Sequence, residues 1–193
     1  FLIHKKSYYS KNTFEFLGKR KIFDKEIDWN FMEYGVLWNY NLNYFDFLNQ
    51  EKINPKEIDQ VLLSFKKNYK TNIYGNQAYP TSLRIINLMK YMSKFNCYEK
   101  YISIVKNDVS RLINNIEYHI DGNHLFENAF ALYFASFLFN EKSYKRKSSK
   151  LLRSCLDEQI LNDGGHYELS PMYHKLMLHR ILDCINLTKS NSD

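Results

Sequence analysis

The chain has 193 residues, 45% of them hydrophobic and 17% aromatic, with 27 Lys and Arg against 21 Asp and Glu for a net charge of +6. That length and apolar content suit one compact body with a sizeable core, and six glycines and three prolines argue against a many-stranded sheet. No apolar run approaches the roughly 18 residues of a membrane span, no signal peptide is visible, and the three cysteines, Cys97, Cys155 and Cys184, are spaced for neither a disulfide framework nor a metal knuckle and read as buried thiols.

The first 50 residues are aromatic and irregular, with Trp29, Phe31, Tyr34, Trp38, Tyr40, Tyr44, Phe45 and Phe47 crowded around Asn39, Asn41 and Asn43. They read as a packed arm with one short helix, and residues 51–193 as the main helical body. After Pro55, the set Ile58, Val61, Leu62, Phe65 and Tyr69 holds one face of an amphipathic helix. Gly75 and Pro80 then mark a loop. Further helices are predicted over about residues 82–95 and about residues 98–119, the latter with Ile102, Val105, Val109, Leu112, Ile113 and Ile116 on one stripe.

From Asn123 the helical period continues through Phe126, Ala129, Phe130, Tyr133, Phe134, Phe137 and Leu138, but the intervening positions are also apolar, so this helix should be buried on nearly all sides. The next, about residues 143–161, is basic on one side and belongs outside; its charge cluster at residues 142–150 reads as a solvated face. The last starts at Ser170, a good N-cap, with Pro171 in the first turn, and presents Leu178, Ile181, Leu182 and Ile185. The expected fold class is all-α, an incomplete (α/α) toroid of antiparallel hairpins. Alternate helices then start at the same end, so the starts near Pro80, Asn123 and Tyr173 share a rim of free N–H groups that attracts carboxylates and sulfates.

The segment Asp163-Gly-Gly-His-Tyr-Glu-Leu-Ser-Pro-Met-Tyr-His174 gathers His166, Glu168, Tyr173 and His174 around a turn and a helix start. Asp121-Gly-Asn-His-Leu-Phe-Glu127 repeats its order of Asp-Gly, His and Glu one hairpin earlier. Tyr173 is the leading candidate for proton transfer, acting as an acid at its ordinary pKa near 10 and as a base only in positive surroundings; a seam-packing tyrosine is the bland alternative. Asn123 is either an N-cap or a site residue, and His124 beside it has Glu127 one turn on to fix its tautomer. All histidines except His4 lie between His119 and His179, but no His-Glu-x-x-His motif occurs, and no metal or other cofactor is expected. Serine- and cysteine-nucleophile signatures and Gly-rich phosphate loops are absent.

Four segments together, Leu37-Trp-Asn-Tyr-Asn-Leu-Asn-Tyr-Phe-Asp46, Tyr79-Pro-Thr-Ser-Leu-Arg-Ile-Ile-Asn87, Gly122-Asn-His-Leu-Phe-Glu-Asn-Ala-Phe-Ala-Leu132 and the 163–174 segment, resemble the heparinase II/III family of polysaccharide lyases, in consistent order from about Trp29 to Leu187. The resemblance implies an incomplete toroid followed by a C-terminal β-sandwich, and β-elimination of an acidic polysaccharide containing uronic acid. On that resemblance Asn123 neutralises the uronate carboxylate, Tyr173 is the acid or acid/base, and His124 is a base or carboxylate contact. Arg84, Glu127, His166 and His174 are the expected substrate contacts. It also implies a periplasmic or cell-envelope setting. The chain starts at Phe1 and stops before any β-sandwich, so it reads as part of a longer protein and is expected to be inactive alone. The competing reading is a non-catalytic helical scaffold that binds acidic glycan through the same rim. Nucleic-acid binding rests on pI and aromatic content alone, with no motif behind it, and is not expected.

Overall fold

The computed structural model describes residues 4–120 and 122–191; Asp121, which opens the upstream turn motif, lies outside them. The N-terminal arm holds an antiparallel meander not anticipated from the sequence: β1 (Tyr8–Tyr9), β2 (Thr13–Phe16) and β3 (Lys19–Ile22), with Phe16 opposite Lys19 and Thr13 opposite Ile22. Leu17 and Gly18, both at positive φ, form the two-residue turn between β2 and β3, a backbone twist that matches the twist of the flanking strands. Helix α1 (Val36–Tyr44) closes the arm. Trp38 is fully buried, its ring 5.2 Å from Phe16 and 5.1 Å from Phe31, and Trp29 meets Phe65 edge-on at 5.0 Å. The aromatic surplus thus goes largely into a core of edge-to-face pairs.

Six further helices follow among the described residues: α2 (Pro55–Asn68), α3 (Ala78–Phe95), α4 (Tyr98–Ile113), α5 (Gly122–Leu138), α6 (Lys142–Gln159) and α7 (Pro171–Ser190). Asn54 caps α2 by accepting from the Lys56 N–H, and Ser170 caps α7 by accepting from the Tyr173 N–H. α3 begins a turn earlier than expected because Pro80 sits in its first turn, where the missing N–H has no helical acceptor to lose. α1, α3, α5 and α7 pack side by side as an inner layer, with α4 and α6 against the outside of α3 and α5. The molecule is mostly helical, an incomplete (α/α) toroid with a small sheet on its arm. Among the described residues no helix is long and apolar enough to cross a membrane.

α7 differs from its expected orientation. Its inward face carries Met177, Arg180 and Asp183, while Leu178, Leu182 and Ile185 are largely exposed. Charge pairing decides the rotation: Arg180 reaches Glu127 on α5 and Asp183 reaches Lys90 on α3.

Candidate functional site

The starts of α3 and α5 meet at one end of the inner layer. The Tyr79 ring lies against the His124 ring with centroids 4.3 Å apart, and Asn123 Nδ2 donates to Tyr79 Oη at 3.5 Å. Tyr44, at the end of α1, adds a third ring 5.9 Å from Tyr79. Burial, reinforced by the charge of Glu127, pushes the Tyr79 phenol up from its ordinary value, so it stays protonated and remains a donor. Glu117 Oε2 sits 3.4 Å from His124 Nδ1. Asn128, fully buried nearly two turns into α5, fixes that carboxylate: it accepts from the Glu117 N–H at 2.9 Å and donates Nδ2 to Glu117 Oε2 at 3.3 Å and to Ser82 Oγ at 3.1 Å.

The loop before α7 is tied to the same end. Gln159, the last residue of α6, donates Nε2 to the Gly122 carbonyl at 3.0 Å, and its Oε1 lies 3.4 Å from His166 Nε2. The backbone returns as a small hairpin, with Tyr167 N–H donating to the Gln159 carbonyl and Leu161 N–H to the Gly165 carbonyl. Gly122 adopts φ +54°, and a Cβ there would lie 3.3 Å from Tyr167 Oη and 3.4 Å from Glu168 Oε1, so glycine lets the loop rest directly on the start of α5. The Tyr173 ring stands 6.3 Å from His166, partly buried, with His174 exposed beside it. Contacts run from Tyr79 through Asn123, Gly122, Gln159 and His166 to Tyr173, so the starts of α3, α5 and α7 are linked through one loop.

Three expected substrate contacts are placed elsewhere. Arg84 is wholly buried: Nε and Nη2 donate to the two Asp108 oxygens at 2.8 and 2.7 Å, and Nη1 donates to the Gly75 carbonyl at 2.6 Å. It therefore fastens the α3 start to α4 and the 72–77 loop instead of reaching into the rim. Gly75 accommodates this because any side chain there would collide with Asn43 and Asn72. Glu127 is 2% exposed and accepts from Arg180 Nε at 3.0 and 2.9 Å. The partner expected of it beside His124 is Glu117, which comes from the loop after α4. His166 is 1% exposed; it braces the loop from behind, and burial lowers its pKa. Tyr79, not among the expected site residues, carries the same signal as Asn123, a polar group at the start of an inner helix.

Behind the rim lies a buried charge cluster. Besides the Arg180–Glu127 pair it contains Lys90 bonded to Asp183 and His179 Nε2 3.3 Å from Asp183, and at its partly exposed edge His4 Nδ1 lies 3.9 Å from Asp46. Burial pushes His179 down to about 4, with Lys90, Arg180 and His4 adding repulsion against the pull of Asp183.

A family model described as the heparinase II/III N-terminus matches residues 85–193, more than half of the chain. No curated protein and no solved structure matches it.

Proposed function

Because the chain belongs to the heparinase II/III family, whose activity is polysaccharide lysis, we propose that its rim is the catalytic end of a lyase that cleaves an acidic polysaccharide by β-elimination. What supports this reading is the run of contacts that ties the start of α5, where Asn123 and His124 lie, to the start of α7: Gln159 to the Gly122 carbonyl and to His166, and His166 to the Tyr173 ring. In the proposed reaction the uronate carboxylate sits against the Asn123 amide, with the Tyr79 hydroxyl in reserve as a second donor. As the C5 proton leaves, negative charge grows on that carboxylate, and donors already aimed at it stabilise the enolate-like state more than the ground state. His124 is the base: Glu117 beside Nδ1 favours a proton on that nitrogen and leaves Nε2 to accept. Tyr173 protonates the glycosidic oxygen departing from C4. The C4–O bond breaks as the C4–C5 double bond forms, and the products are a free hydroxyl and an unsaturated uronyl end.

The test is ultraviolet absorbance of those unsaturated ends when the complete protein meets uronate polymers such as heparan sulfate or alginate, with no added metal. Tyr173→Phe keeps the ring and removes the transferable proton, so the rate should fall at least about a hundredfold while binding is retained, the usual size of a general acid–base contribution. Near-normal elimination by that variant would return Tyr173 to a packing role. An intact protein that binds the polymer and never cleaves it would make the rim a glycan-binding scaffold.

A further inference from the structure

The whole charge excess of the chain lies on one stretch of one helix. Residues 142–153 of α6 carry Lys142, Lys145, Arg146, Lys147, Lys150 and Arg153 and no acid; with those six set aside, the remaining 21 Lys and Arg balance 21 Asp and Glu. All six are exposed. Among the described residues none of them lies within ion-pair distance of a carboxylate. Glu141, the nearest acid, is engaged by the Ser143 N–H and hydroxyl.

Internal electrostatics oppose this arrangement twice over. Lys142, Arg146 and Lys150 follow i, i+4, i+8 with Arg153 at i+11, so like charges stack on one outward face about 6 Å apart per step along the axis. They also occupy the N-terminal two thirds of α6, the end at which the helix dipole disfavours cations. A solvated face needs neither burden, and alternating signs would relieve both. An external anion relieves them as well, and the geometry favours an extended one: beside the stripe runs a groove of ≈ 590 Å³ lined by Ile113, Ser143, Tyr144, Arg146, Lys147 and Lys150. Its lining supplies the half-buried Tyr144 ring with its hydroxyl along with the cations, a mixture suited to a sugar chain bearing regularly spaced carboxylates or sulfates.

We propose that the outward face of α6 is a second, non-catalytic binding site for acidic polysaccharide, which holds a long chain on the outside of the toroid while another part of it occupies the rim. The proposal rests on the lyase reading for the choice of polyanion, and not for the existence of the site. Gln159 at the far end of α6 touches the rim, so the helix itself leads from one site to the other. A chain held at both sites gains through effective concentration, whereas an oligosaccharide shorter than the separation gains nothing.

The experiment compares polymeric heparan sulfate and a tetrasaccharide cut from it, titrated into the full chain carrying Tyr173→Phe so that nothing is consumed, with and without the triple change Arg146→Glu, Lys147→Glu and Lys150→Glu. The expected result is a loss of at least about tenfold in affinity for the polymer, vanishing as salt screens the stripe, with tetrasaccharide affinity unchanged. Thermal melting controls for folding: the change turns the 142/146 and 150/153 pairs from repulsive to attractive and places acids in the N-terminal half of α6, so the melting temperature should stay close to that of the unsubstituted chain. Unchanged polymer affinity in the triple variant overturns the proposal. So does tighter binding of duplex DNA or of vesicles containing phosphatidylserine than of the polymer, which would assign the stripe to another class of partner. If the unsubstituted protein never produces unsaturated ends but polymer binding still depends on α6, the lyase reading falls and this site stands.

Discussion

At the scale of single residues, Arg84 shows how burial changes a role. Its guanidinium is clamped between Asp108, the Gly75 carbonyl and the faces of Phe65 and Phe45, so every strong donor direction is committed inside the protein. Arg84→Met should therefore cost about 3–5 kcal/mol of stability, because Asp108 is left as an uncompensated buried charge. Chemical denaturation measures that loss, and glycan affinity of the folded fraction should not change. A variant that melts normally but binds glycan poorly would restore Arg84 to the rim. Nothing in the local sequence separates the two roles. The deciding partner, Asp108, is remote in sequence and on another helix, and an Arg near a helix start looks the same in both cases. His124 was legible for the opposite reason: a polar pair opening the most apolar helix of the chain has no packing use. Its partner was not legible, since Glu127 at i+3 satisfied helix spacing while Glu117 arrives from a loop.

At the scale of elements, periodicity located six of the helices, because their apolar positions recur at the helical repeat and their caps are local. The β1–β3 meander escaped because its strands are only two to four residues long and leave no room for an alternating pattern to declare itself. The sequence pattern places α7 but not its rotation: the rule that the apolar stripe faces the core gives way to Arg180 and Asp183, whose buried partners lie on other helices. The element that matters most to the site is the end of α6, where Gln159 joins the α5 start to the α7 loop. Gln159→Leu preserves bulk and removes the donor to the Gly122 carbonyl, which should cost roughly 1–3 kcal/mol for an acceptor left unsatisfied in the interior. It should also let Asn123 and the Tyr173 loop drift apart. In the complete protein the expected signature is a kcat that falls more than KM changes, as for a positioning defect felt in the transition state. A lowered melting temperature with unchanged kcat would confine Gln159 to holding the fold.

At the scale of the whole molecule, the buried charge cluster joins all the inner pieces at once: His4 and Asp46 from the arm, Lys90 from α3, Glu127 from α5, and His179, Arg180 and Asp183 from α7. Lys90 and Arg180 face Glu127 and Asp183 across the helix contacts, with Asp46 at the edge of the cluster. A proton on His179 is disfavoured chiefly because its site is buried, with Lys90 and Arg180 adding repulsion. Its pKa in the folded protein is pushed down to about 4, below the ordinary 6.5 that it recovers on unfolding, so between those values the unfolded chain binds the extra proton. Stability is therefore complete above about pH 6.5 and is lost progressively as pH falls toward 4, at no more than about 1.4 kcal/mol per pH unit for one group. His4 and His166, both lowered chiefly by burial, act in the same direction. Melting curves taken at intervals from pH 8 to pH 4 should show the midpoint steady above 6.5 and declining below it. His179→Gln, which cannot take up a proton, should decline less steeply across that window than the unsubstituted chain. Parallel slopes for the two proteins would mean that acid sensitivity resides in the carboxylates, with His179 accessible enough to titrate as it does when unfolded.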